Sequence, residues 1–283
     1  MSTLQAKSGF LNVSNARIYY EMAGQGTPFV MIHAGVADSR QWNNEFEFFA
    51  RKYQVVRYDM RGYGKSEPVE GEFNHLEDVV GVLNALGVQE PVVIMGCSMG
   101  GGIAMDFALT NPSKVSALIM VGSAPSGLEL DVPTPAKFAD AEKAFEAGDL
   151  DLVGEIETQI WFDGSGRTPD QVNQAMRKLV YGMNRQALAH EVKNLGKRLP
   201  NTQTPVFDRL GDLKIPVLIV VGRHDTPYIL AAADYMVERI PSAKKVVIED
   251  AAHLPNLDHP DEFQAHVENF LESLSREKES GDD

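Results

Sequence analysis

Short apolar runs with little polar alternation recur along the chain, at residues 28–33 (PFVMIH), 55–58, 92–95, 117–121, 217–221 and 245–248. A strand with one wet face alternates apolar and polar residues. A strand covered on both faces does not, so these runs point to a mostly parallel sheet held between helices. Residues 8–14 and 16–22 read as two further strands joined by a turn at Asn15, which makes eight. Helical patterns near 39–49, 74–87, 99–110, 228–240 and 260–275 fill the intervals. Alternation of this kind predicts an α/β fold, doubly wound, with an eight-stranded sheet flanked by helices.

The rhythm breaks between residues 125 and 205. This stretch has no β-like run, and it carries helical patterns near 134–147, 149–162, 168–182 and 185–196. It opens with APSGLELDVPTP and closes with RLPNTQTP, both rich in turn residues. Strand–helix alternation resumes directly afterwards. Residues 125–205 are therefore expected to form a helical cap inserted into a core made of 1–124 and 206–275. Residues 276–283 are expected to be a flexible acidic tail. Phe138, Phe145, Trp161, Phe162, Tyr181 and Met183 either face a pocket or form the insertion's own core.

With 26 basic and 40 acidic side chains the formal charge is −14, which repels phosphate backbones and argues against a nucleic-acid partner. A single cysteine, Cys97, excludes an intrachain disulfide framework. No window approaches the roughly 18 continuous apolar residues that a membrane helix needs, and residues 1–10 lack the pattern of a secretory signal. The expectation is a soluble, cytoplasmic protein that binds neither nucleic acid nor membrane.

The strongest local signal is VVIMGCSMGGG, where an apolar strand runs into Gly96-Cys97-Ser98-Met99-Gly100 and a helical pattern follows. G-x-S-x-G between a strand and a helix is a nucleophile elbow: a strained turn projects the serine hydroxyl from the sheet edge. Glycine two residues to either side removes side chains that would collide there. The Met99 amide, at the helix start, can donate to a developing oxyanion.

A serine hydroxyl at neutral pH needs a base, and the base needs an orienting acid. Downstream, IPVLIVVG ends in Arg223-His224-Asp225, and the next strand leads through Ala251 and Ala252 to His253. Both positions follow parallel strands at the edge where such sheets build sites. Asp225 and His253 are thus the expected acid and base, with Asp250 the runner-up acid. His259 reads as a helix entry, and His75, His190 and His266 fall in predicted helices and are expected at the surface. The loop after the third strand, His33-Ala34-Gly35-Val36-Ala37-Asp38, should supply the second oxyanion donor, the Val36 amide, with His33 bracing the loop.

Two decoys are set aside. GKS at residues 64–66 lacks the glycine and the continuing helix of a phosphate loop, and the glycine spacing in 96–102 is not a dinucleotide fingerprint. Metal-ligand spacings are absent, so neither a metal nor a cofactor is expected.

Taken together, HAG (33–35), YDMRGYGKS (58–66), GCSMGG (96–101), GRHDTP (222–227) and AAHLPNLDHP (251–260) resemble the α/β-hydrolase fold family, over about residues 12–274. The resemblance implies Ser98 as nucleophile, Asp225 as acid, His253 as base, and Val36 and Met99 as oxyanion donors. Asp59, Arg61 and Gly62 match a loop that is structural in that family. A serine nucleophile disfavours the aspartate-dependent dehalogenases and epoxide hydrolases, and HAGVAD lacks the longer glycine-rich loop common among carbon–carbon bond hydrolases. What the resemblance implies is a cap-bearing carboxylesterase or lactonase acting on a small-molecule ester or lactone, with Trp161, Phe162 and Phe138 as candidate substrate contacts. Alternatives are a carbon–carbon hydrolase of ring-cleavage products and a ligand-sensing protein that keeps the fold. The sequence leaves the oligomeric state open.

Overall fold

The structure, a computed structural model, describes residues 5–88 and 91–281. Strands β1 (Lys7–Val13) and β2 (Ala16–Ala23) form an antiparallel hairpin, and β2 pairs antiparallel with β4 (Gln54–Tyr58). From β4 onward the sheet is parallel, through β3 (Pro28–Ile32), β6 (Val92–Cys97), β7 (Val115–Val121), β9 (Val217–Gly222) and β10 (Ala243–Ile248). The spatial order is β1-β2-β4-β3-β6-β7-β9-β10, so the expected eight-stranded, mostly parallel sheet is what forms.

The unalternating apolar runs have a direct cause. Successive side chains on a strand point to opposite faces, and here both faces are covered. Val30, Ile32, Ile94, Leu118 and Ile219 pack against α2 (His75–Ala85), α3 (Met99–Thr110) and α7 (Pro227–Arg239). Their neighbours Phe29, Met31, Val93, Met95, Ile119 and Val220 pack against α1 (Asn43–Phe49) and α9 (Pro260–Gly281). Because the six parallel strands run the same way, the loops that follow them gather along one edge of the sheet.

Between β7 and β9 lie α4 (Lys137–Glu146), α5 (Leu150–Thr158), a π-helical turn at Gln159–Asp163, and α6 (Gln174–Glu191). Three sequence expectations need correction here. Two helices predicted over 168–182 and 185–196 are one helix, α6; Gly182 inside it costs on the order of 1 kcal/mol without ending the helix. The stretch expected to lack strands contains β8 (Lys197–Arg198), which pairs with β5 (Glu72–Phe73). Both residues of β8 are exposed, so no apolar pattern announces it. The expected tail at 276–283 is helical as far as Gly281, as α9 continues from its buried first turns; residues 282–283 lie outside the described residues. A four-residue helix, α8 (Pro255–Asp258), precedes α9. No helix among the described residues is long and apolar enough to cross a membrane.

Candidate active site

Ser98 sits between β6 and α3 with φ 52° and ψ −117°, a backbone region costly for a residue with a Cβ, on the order of 1–3 kcal/mol. The surroundings hold it there. Its N–H donates to the Val121 carbonyl at 2.8 Å, and its carbonyl accepts from Gly102 N–H at 3.0 Å and from Ser123 Oγ at 3.1 Å. The flanking glycines are required by contact: a methyl on Gly96 would overlap the Gly100 carbonyl, and one on Gly100 would overlap the carbonyls of Ile32 and His33. Ser98 is half-buried and lines a cavity of about 920 Å³ with Met99 and Gly122.

Asp225 and His253, each 1% exposed, meet across the loops after β9 and β10. His253 Nδ1 lies 2.8 Å from Asp225 Oδ2. An ionised carboxylate can only accept, so Nδ1 carries the proton and Nε2 keeps its lone pair. Asp225 Oδ1 also accepts from Thr226 N–H at 2.7 Å, which fixes the carboxylate plane. Gly122, one residue beyond the Ser98 partner Val121, lies under the imidazole; a Cβ there would stand 3.0 Å from Nδ1. No hydrogen bond joins Ser98 Oγ to His253 Nε2 among the described residues, and contacts of this kind commonly tighten only when substrate binds.

The loop that carries Val36 and the start of α3 are neighbours. Gly35 packs against the Met99 side chain, and neither the Val36 nor the Met99 N–H has an acceptor among the described residues. His33 is a brace: Nε2 accepts from Met60 N–H at 3.0 Å, so Nδ1 is the nitrogen that donates to the Ala34 carbonyl at 2.8 Å. Burial lowers the pKa of its imidazole, against the opposing pull of Asp59, which favours this neutral form.

Of the three aromatic candidates, Trp161 lies on His253 with ring centroids 4.4 Å apart, and Phe138 meets Trp161 edge-on at 5.4 Å. Phe162 is elsewhere: it is 1% exposed and packs into the apolar core with Val180 and Met183. Phe162 is therefore a packing residue.

The rival histidines divide. His224 donates from Nδ1 to the Ser165 carbonyl at 2.7 Å, and His259 approaches the Asp250 carbonyl, whose own carboxylate is exposed. His75 and His190, expected at the surface, are 3% and 8% exposed. Phe73 of β5 packs edge-on against the first at 5.2 Å, and α6 carries the second onto the Gly62 carbonyl at 2.9 Å.

A buried polar network went unread in the sequence. Gln41 Oε1 accepts from Ala34 N–H at 2.8 Å, the Gln41 carbonyl accepts from Asn256 Nδ2 at 2.8 Å, and Asn256 Nδ2 also donates to Glu45 Oε2 at 3.1 Å. Gln264 Nε2 completes the set on Glu45 Oε1 at 3.2 Å. The network ties the Val36 loop to the helix just after His253 across more than 200 residues of chain, a separation that no local pattern reports. Burial raises Glu45 to about 7, because its partners are neutral amides and Arg57 pulls only from a distance.

A raised carboxylate favours the folded state while protonated. Its contribution is complete below the ordinary value of 4.5 and is lost as pH rises towards 7. Relative to Glu45→Gln, the wild type is therefore expected to lose on the order of 3 kcal/mol between pH 5 and pH 8. Urea unfolding of both proteins at the two pH values measures the difference.

The comparisons with known proteins agree with this fold. A family model described as alpha/beta hydrolase fold matches residues 27–260. The chain belongs to the α/β-hydrolase fold family. It is 30% identical over 259 residues to the pimeloyl-[acyl-carrier protein] methyl ester esterase of Aeromonas hydrophila, covering 89% of this chain and 98% of that one. It is 28% identical to the 2-hydroxy-6-oxononadienedioate/2-hydroxy-6-oxononatrienedioate hydrolase 1 of Dechloromonas aromatica, covering 95% and 94%. Among solved structures, Est816, titled an N-acyl homoserine lactone degrading enzyme, superposes with a TM-score of 0.74 at 26% identity, over 93% of this chain and all of the other. The class these comparisons support is that of a hydrolase.

Proposed function

We propose that this hydrolase cleaves carboxylic esters, lactones included, with Ser98 as nucleophile, His253 as base and Asp225 as the orienting acid. The observation that carries the reading is the buried 2.8 Å His253–Asp225 pair beside a serine held at positive φ on the rim of a cavity. Asp225 keeps the proton on Nδ1, so Nε2 takes the Ser98 proton as Oγ attacks the ester carbonyl. The free N–H groups of Val36 and Met99 receive the oxyanion. The alcohol leaves with the proton from His253, and a water, deprotonated in turn by His253, frees the acid from Ser98. Residues 125–205 act as a cap over the cavity, with Trp161 and Phe138 as substrate contacts.

Cleavage of a carbon–carbon bond by the same three residues is a second reading, favoured by the similarity to the Dechloromonas aromatica hydrolase. The two separate in one experiment: p-nitrophenyl esters from acetate to octanoate beside a 2-hydroxy-6-oxo-dienoate. Ester cleavage predicts p-nitrophenol release that Ser98→Ala loses and that outpaces turnover of the dienoate. Faster turnover of the dienoate than of any ester would favour the second reading.

A further inference from the structure

The larger cavity, which Ser98 lines, shares a wall with a second cavity of about 360 Å³ lined by Gly35 and Val36. His75 and Arg198 face both. Among the described residues, Arg40, Arg57, Arg61, Arg167 and Arg177 all pair with carboxylates. Arg198, exposed like the equally unpaired Arg17 and Arg51, does not: among the described residues no carboxylate lies within 4.0 Å of it, and its one side-chain hydrogen bond is from Nη1 to the Met99 sulfur at 2.9 Å. A thioether is a weak acceptor for a guanidinium built to bind two oxygens at once. Beside it, His75 is buried, and its Nδ1 has no hydrogen-bond partner; the nearest carboxylate oxygen, on Asp78, is 3.8 Å away, beyond hydrogen-bond reach. Two nitrogen-bearing side chains from distant segments thus share a cavity wall next to the elbow: Arg198 is open to it, whereas His75 turns its covered Nδ1 toward Asp78.

We infer that Arg198, with His75 beside it, anchors a carboxylate on the substrate, so that the preferred substrates are monoesters of dicarboxylic acids. The inference rests on the ester-hydrolase reading above. In an acyl-enzyme the acyl half is bonded to Ser98 Oγ and has to lie in the cavity that Ser98 lines, which is where Arg198 stands. The ω-carboxylate displaces the Met99 sulfur and forms a two-pronged pair with the guanidinium. Asp106, the acid lining the same cavity, has its Oδ2 held by Asn201 at 2.8 Å. The chain's net charge of −14 acts over distances that salt screens, whereas Arg198 acts in contact.

The test compares monomethyl glutarate and monomethyl adipate with methyl pentanoate and methyl hexanoate, at pH 7.5. The wild type is expected to favour the acidic esters at least tenfold in kcat/KM. Arg198→Ala should abolish that preference mainly through KM, and Arg198→Lys, which keeps the charge without the fork, should restore part of it. A wild-type ratio near one, or a preference that survives in Arg198→Ala, overturns the inference. If the wild type turns over no ester faster than Ser98→Ala does, the ester-hydrolase reading is what fails. Calorimetry with free glutarate then decides the anchor separately: binding that Arg198→Ala removes supports it, and no binding to the wild type refutes it.

Discussion

Replacing Ser98 by alanine is expected to lower kcat on p-nitrophenyl esters by on the order of 10⁴-fold or more, with the fold intact. The change removes the atom that, in the proposed mechanism, forms the acyl-enzyme, and leaves the His253–Asp225 pair and the Val36 and Met99 amides in place. Substitution of His253 should cost a similar factor, because the serine proton then has no acceptor at Nε2. Asp225→Asn should also cost several orders of magnitude, since an amide can offer N–H to the imidazole and stabilise the wrong tautomer. Residues that act as one unit are not additive, so the Ser98→Ala, His253→Ala double variant should be little slower than either single one. Independent, multiplying losses would mean that the two residues do not serve the same step. Circular dichroism and urea midpoints close to wild type show whether each loss is chemical.

The largest expected effect on stability lies away from the elbow, at Arg61. Its guanidinium forms a two-pronged pair with Asp78 at 2.7 and 2.8 Å, and both side chains are under 5% exposed. It also donates to Asn15 Oδ1 and to the Val13 carbonyl, and its charged plane stands over Phe73. One side chain therefore joins the loop after β4 to α2 and to the first hairpin. Arg61→Ala leaves the Asp78 carboxylate buried without its partner, and a loss of about 3–5 kcal/mol in unfolding free energy is expected. Replacing both residues with apolar ones, Arg61→Met with Asp78→Leu, should be less damaging than Arg61→Ala, because no orphaned charge remains. Equal destabilisation by the single and double variants would place the cost in packing instead of in the ion pair.

The parts of this protein that were legible in its sequence are those whose cause is local or is imposed by the sheet. The strand–Ser98–helix elbow occupies a dozen consecutive residues, and its glycines answer to steric contacts within that stretch and with the end of β3 beside it. Asp225 and His253 are far from Ser98 in sequence, but each follows a parallel strand, and parallel strands deliver their ends to one edge. What escaped has a different origin. Trp161 and Phe162 are adjacent aromatic residues, and nothing in GEIETQIWFDG marks which of the two rings is buried. His75 is buried beside Phe73 of β5, a strand of two residues that no sequence pattern announces. The Gln41–Asn256–Glu45 network and the Arg198–His75 wall join segments over 100 residues apart, so their members carry no shared pattern. Their side chains are ordinary in sequence and become informative only when the unpaired donors and acceptors are counted in space.

Covalent labelling tests the central claim, that Ser98 is the nucleophile, most directly. A fluorophosphonate reacts with an activated serine and stays bound, and peptide mass mapping then locates the phosphonyl group. One adduct per chain is expected, on the peptide that contains Ser98. Labelling should be slowed in His253→Ala and absent in Ser98→Ala. Stoichiometric labelling at any other residue, or full ester turnover by Ser98→Ala, would contradict the account.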